Sequence, residues 1–197
     1  MTKPTDIWRF DLTRGASTTP RNGACLMDAI SWLEYGKLGD EPECVCPVLA
    51  AYGRYLNDLF DDVTRQKLKV LIPRLAGSRD PVSAKIRADF IIEESIRRFA
   101  RQNVDLNLSK AKRAVTEVLL RAASLAAYGF IDSQKIPLFA TTDEITIISD
   151  VPIADTAPFF EDAIQTLEGA MKLGRQGTTD PEAIGFAQES FRMAALA

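Results

Sequence analysis

Pro47-Val48-Leu49-Ala50-Ala51-Tyr52-Gly53-Arg54-Tyr55-Leu56-Asn57-Asp58-Leu59 is the stretch of this 197-residue chain that decides its fold class. Proline at the first position supplies a fixed φ where a helix has no N–H to lose. Val48, Ala51, Tyr52, Tyr55 and Leu59 then recur at steps of three and four, one stripe of a helix. The same signature repeats on either side. Upstream, residues 24–35 place Leu26, Ile30 and Leu33 on one face, with Met27 and Trp32 beside it and Gly36 set for a C-cap. Downstream, Asp61 or Asp62 opens a third helix whose Leu68, Leu71, Ile72 and Leu75 form a stripe that Pro73 should kink or end near Leu71.

Four further helices are legible. Asp80-Pro81 starts one that reaches about Arg101, with Glu93–Arg97 and Glu94–Arg98 as i,i+4 pairs. Ser109 caps a fifth whose Ala111, Ala114, Val115, Val118, Ala122, Leu125 and Ala126 leave room for a close neighbour. Thr156 or Ala157, followed by Pro158, begins a sixth that runs to about Leu173 with Phe160, Ile164, Leu167 and Met171 inward. Asp180-Pro181 begins the last, carrying Ile184, Ala187, Phe191 and Ala194. The alternating residues 7–12 read as a short strand or an extended arm, and residues 145–148 as a short strand or a helical turn.

The expectation is an all-α domain of about seven helices over 24–197, with 24–101 as nucleus, 102–197 as additional helices, residues 1–23 as an irregular arm, and room for one short strand pair. A hydrophobic fraction of 46% against 26% charged suits a globular core. No run approaches a membrane span, and the start lacks a secretory h-region, so a cytoplasmic protein with no membrane contact is expected.

Chemistry is constrained by one absence. The chain has no histidine, which removes Ser-His and Cys-His nucleophile pairs and the HExxH zinc site. Cys25, Cys44 and Cys46 could converge with Asp28, Asp40, Glu41 or Glu43 on a metal. Cys46 also directly precedes Pro47, at a helix N-terminus that lowers a thiol's pKa. Neither a second CxxC nor a base completes such a centre, and free cysteine commonly packs as a small apolar residue. Gly174-Arg175-Gln176-Gly177-Thr178-Thr179 lacks the spacing of a phosphate loop. Adjacent acids such as Asp61-Asp62 and Glu161-Asp162 point to different helix faces. No catalytic residue, metal or cofactor is expected.

Charge is unevenly placed. Residues 65–113 hold thirteen Lys/Arg against five acids, whereas 136–169 hold seven acids and no base. Such segregation favours complementary contacts, between molecules or within the fold. Arg87, Arg97, Arg98, Arg101, Lys110, Lys112 and Arg113 are the candidate binding residues. The plain reading of them is solvated helix faces, and as a binding surface they suit an acidic protein first and nucleic acid second.

The segments Ala24-Cys25-Leu26-Met27-Asp28-Ala29-Ile30-Ser31, Cys44-Val45-Cys46-Pro47-Val48-Leu49-Ala50-Ala51, Asn57-Asp58 and Leu71-Ile72-Pro73-Arg74 resemble an uncharacterised family of small bacterial and bacteriophage proteins, over residues 23–100. That resemblance carries no activity and assigns no site residue. It implies a shared nucleus at 24–58 and, by association, a phage or mobile-element setting with a host-directed binding role. The functional expectation is a non-catalytic interaction protein whose partner is another protein, a homodimer included. A nucleic-acid-associated protein and a cysteine-based metal or redox protein are the alternatives.

Overall fold

The computed structural model describes residues 11–15, 23–80, 82–100, 110–131 and 153–174. Within them the chain forms six helices. Helix α1 is Leu26–Tyr35 and α2 is Pro47–Leu59. Helix α3 comes in three pieces, Asp62–Gln66, a 3-10 stretch Lys67–Leu71, and Ile72–Leu75. Helix α4 is Ser83–Ser95 continued by a π turn, Ile96–Ala100. Helices α5 and α6 are Lys110–Ile131 and Ile153–Lys172. The all-α expectation is met. The seventh helix and the 145–148 segment lie outside the described residues.

Helix α2 is the axis of the structure. It touches α1, α4, α5 and α6, and the last three also pack on one another. Every α2 residue from Val48 to Leu59 is buried, not only the stripe. That explains why Arg54, Asn57 and Asp58 sit inside a core of leucines, alanines and tyrosines. Such groups are tolerated inside only when hydrogen-bonded. Asn57 Oδ1 accepts from Leu26 N at 3.2 Å, and its Nδ2 donates to Thr13 O at 2.9 Å. Asp58 Oδ1 accepts from Gly15 N at 3.1 Å. Two adjacent α2 side chains thus hold both the start of α1 and the N-terminal arm.

Residues 7–10 of the expected strand or arm lie outside the described residues, and Leu12 makes one parallel bridge with Ala24. Thr13 N donates to Ala24 O at 2.9 Å. On the other side the Gln66 amide replaces a neighbouring strand, accepting from Leu12 N at 3.0 Å and donating to Leu12 O at 2.9 Å. Leu12 is thereby driven into the core.

Three helix starts depart from the pattern, among them that of α4, which begins at Ser83 with Val82 at the N-cap in place of Asp80. Helix α1 begins at Leu26, because Ala24 is engaged by the arm and Cys25 is the N-cap, its Sγ accepting from Asp28 N at 3.3 Å. Gly36, left-handed at φ 68°, ends it. The Leu68–Leu75 stripe is buried as expected, and the break expected near Leu71 is present: the 3-10 stretch ends there and Pro73 falls in the first turn of the last α3 piece, where its missing N–H costs nothing. Helix α6 begins at Ile153 and takes Pro158 inside. An interior proline costs about 3 kcal/mol. Burial of Phe160, Ile164 and Leu167 in the following turns offsets this, at roughly 1.5–3 kcal/mol each. Gly169 of α6 sits so close to α4 that an added Cβ would lie 2.6 Å from Phe90 Cζ.

Candidate functional site

The basic segment is used largely inside the fold. Lys67 reaches Glu161 of α6 at 3.1 Å, Arg74 reaches Glu168 at 2.9 Å, and Arg98 reaches Asp162 at 2.6 Å. Glu161, Asp162 and Glu168 are therefore intramolecular partners of three of the 65–113 cations. Pairs as exposed as Lys67–Glu161 contribute about 0–1 kcal/mol each. They set α6 carboxylates against three of the cations that were expected to meet a partner.

The candidate binding arginines separate accordingly. Arg87 is a correction: it is 0% exposed, its Nε donating to Leu173 O at 2.8 Å and its Nη1 to Ser78 O at 2.6 Å. It closes the carbonyl end of α6, where a cation meets the negative end of the helix dipole. Arg65 does the same for α2, donating to Asn57 O at 2.6 Å and to Phe60 O. Sequence periodicity cannot find this role, because the carbonyls that recruit these arginines come from other segments. Arg98 is half-buried and bonds Glu94, Asp162 and Gln165. Arg97 is exposed but also pairs with Glu94. The expected Glu93–Arg97 pair gives way because Glu94, turned toward α6, collects both arginines. Hydrogen bonds from Arg97 and then Arg98 hold the Glu94 carboxyl below the ordinary range. Lys112 and Arg113 are half-buried on α5 and engaged in interactions of their own. Arg101 and the side chain of Lys110 lie outside the described residues.

The cysteines do not assemble a centre. Among the described residues no three Cys, Asp or Glu side chains are placed to hold a metal ion. Burial pushes the Cys25 thiol up to about 12, away from the thiolate needed for nucleophilic or redox chemistry. Cys46 is the N-cap of α2 as its place before Pro47 indicated, yet it is fully buried and its side chain makes no capping bond. The N–H of Cys46 donates to Ser78 Oγ at 3.1 Å.

An open groove of about 550 Å³ lies between the arm and the start of α3, lined by Leu12, Thr13, Arg14, Asp62, Val63, Arg65 and Gln66 among others. Its central polar groups are already engaged: Gln66 holds Leu12, and Arg65 holds Asp62 at 2.6 Å and the α2 carbonyls.

The outward face of α4 is different. Val82 is 83% exposed, Ile86 41% and Ile96 52%. Val82 is the N-cap and Ile96 opens the π turn, and with Ile86, Asp89 and Glu93 between them the positions run at steps of four, three, four and three. The inner face instead buries Ser83, Arg87 and Ser95 alongside Ala84, Ala88 and Ile91. Helix α4 thus turns part of its polarity inward and part of its apolar surface outward. Asp80 prepares its start, accepting from Val82 N at 3.1 Å and from the Ser83 hydroxyl. Asp89 is tied to Lys85 at 2.6 Å. Glu93 has no cation beside it among the described residues, and its carboxyl is pushed up by burial and by the charge of Asp89.

No helix among the described residues is long and apolar enough to cross a membrane. The chain matches no family model, no curated protein and no solved structure.

Proposed function

We propose that this protein acts by non-catalytic contact with another protein, through the outward face of α4. One observation carries the reading: Val82, Ile86 and Ile96 stay in solvent on one side of a helix that buries an arginine and two serines on the other. Single exposed apolar residues are ordinary, but Val82 and Ile86 stand one turn apart and Ile96 extends the same side ten residues on, an arrangement that suits a partner helix. The basic block is the weaker contact, because Lys67, Arg74 and Arg98 already have acidic partners on α6. A phage-encoded, host-directed role accords with this reading.

The test is affinity purification of the tagged full chain from its source cells, with quantitative mass spectrometry, beside an Ile86→Glu/Ile96→Glu variant. A protein enriched on the parent and lost on the variant is the expected result. Identical enrichment on both, or no enriched protein on either, overturns the reading.

A further inference from the structure

The contact reading leaves the partner's chemistry open, and the α4 seam narrows it. Its five positions, Val82, Ile86, Asp89, Glu93 and Ile96, have the spacing with which one helix meets another. From first to last they span about 21 Å at 1.5 Å per residue. Aliphatic side chains close both ends of the seam and two acids occupy the middle. Asp89 is neutralised by Lys85, whereas Glu93 is not neutralised by any described cation. Covering Glu93 with an apolar surface would bury an unpaired carboxylate, which costs several kcal/mol.

A second copy of the chain fits poorly. Run antiparallel with Ile86 against Ile96, the two seams set Asp89 against Glu93. Run parallel, each acid meets its own counterpart. In both arrangements Glu93 meets a carboxylate, either another Glu93 or an Asp89 whose Lys85 is already committed to it, and such juxtaposition works against pairing.

We propose that the outward face of α4 docks an amphipathic helix of a partner protein that presents a lysine or arginine between aliphatic residues, the cation meeting Glu93 and the aliphatics meeting Val82, Ile86 and Ile96. This rests on the contact function proposed above and specifies its partner.

The probe is a stapled helical peptide whose seam reads Leu, Leu, Ser, Lys, Leu on a neutral background, with a twin carrying Glu for Lys. Binding to the full chain is followed by fluorescence anisotropy. The lysine peptide should bind about tenfold tighter than its twin, a gap of about 1.4 kcal/mol. Glu93→Lys should reverse the order, and Ile86→Ser should weaken both peptides about tenfold. Equal affinity for the two peptides, no binding of either, or an order that Glu93→Lys leaves unchanged would overturn the proposal. So would a concentration-dependent dimer in sedimentation velocity that Ile86→Lys dissolves, since the occupant would then be a second copy. A photo-crosslinking residue at Ile86 and another at Lys37, used in source cells, separate the two levels. An adduct at Ile86 beside equal affinity for the two peptides would remove the basic helix as partner and leave the contact through α4 standing, whereas adducts at Lys37 alone would remove both. Adducts at neither position would remove both.

Discussion

Helices α2 and α4 both bury polar side chains, with opposite consequences. In α2, Asn57 and Asp58 are enclosed because backbone from α1 and the arm arrives to bond them, and the helix has no outer face left. In α4, Arg87 turns inward to reach the carbonyls of Ser78 and Leu173, and the outer face is left with Val82, Ile86 and Ile96. Inward polarity organises the fold in both helices. Only in α4 does it leave apolar surface in solvent, and there we place the contact.

The sharpest way to break this comparison is to remove the inward anchor. Arg87→Ala leaves two carbonyls without their charged donor and opens a cavity, so urea unfolding should show a loss of about 3 kcal/mol. A loss below about 1 kcal/mol would mean that Arg87 does not organise α4. Asn57→Ala should cost about 2 kcal/mol. In addition, amide exchange at Thr13 and Leu26 should accelerate, whereas Arg87→Ala should spare the arm. If the arm stays protected without Asn57, the bridge to Ala24 and the Gln66 clasp suffice. Gly169→Ala drives a methyl into Phe90 and should cost about 1–2 kcal/mol, partly recovered with Phe90→Leu in the double variant.

The two neighbouring glutamates of α4 give a pH test. Glu94 titrates below its ordinary value in the folded protein. Its stabilising contribution is therefore full above that ordinary value, about 4.3, and is lost as pH falls through the lower folded value. Glu93 titrates above its ordinary value, so its contribution is present below about pH 4.3 and is lost as pH rises through the raised one. Glu94→Gln should flatten the acid limb of the stability profile, and Glu93→Gln should raise stability slightly at neutral pH. Profiles that moved the same way in both variants would contradict the assignment of Arg97 and Arg98 to Glu94. The smallest effect belongs to the outer face: Ile86→Ser should change stability by less than about 0.5 kcal/mol. A larger loss would place Ile86 in the core of the molecule.

Much of the fold was legible because it is written in short-range chemistry. Gly36, Asp61 and Asp80 punctuate helices through bonds to residues two to four positions away, and Pro47 does so through its fixed φ. The Leu68–Leu75 stripe is likewise local, set by the helical period. The candidate surface was not legible in the same way. Lysines and arginines clustered in sequence suggested a basic face, but Arg87 and Arg65 cap distant helix ends, and Lys67, Arg74 and Arg98 find acids some 64 to 94 residues away. A run of charge does not reveal which of its members will find a partner inside.

By itself, the sequence determined an all-α chain with helix boundaries marked by proline, glycine and aspartate, and a composition without histidine. Those properties depend on backbone torsion, local capping and residue type, which need no tertiary context. The tertiary structure alone decided which side of α4 faces water, that the basic and acidic segments meet each other, and that α2 is enclosed on all sides. These outcomes arise from long-range satisfaction of buried carbonyls and charges. Their partners are chosen by the packing of the helices, and packing is not encoded within any single stretch.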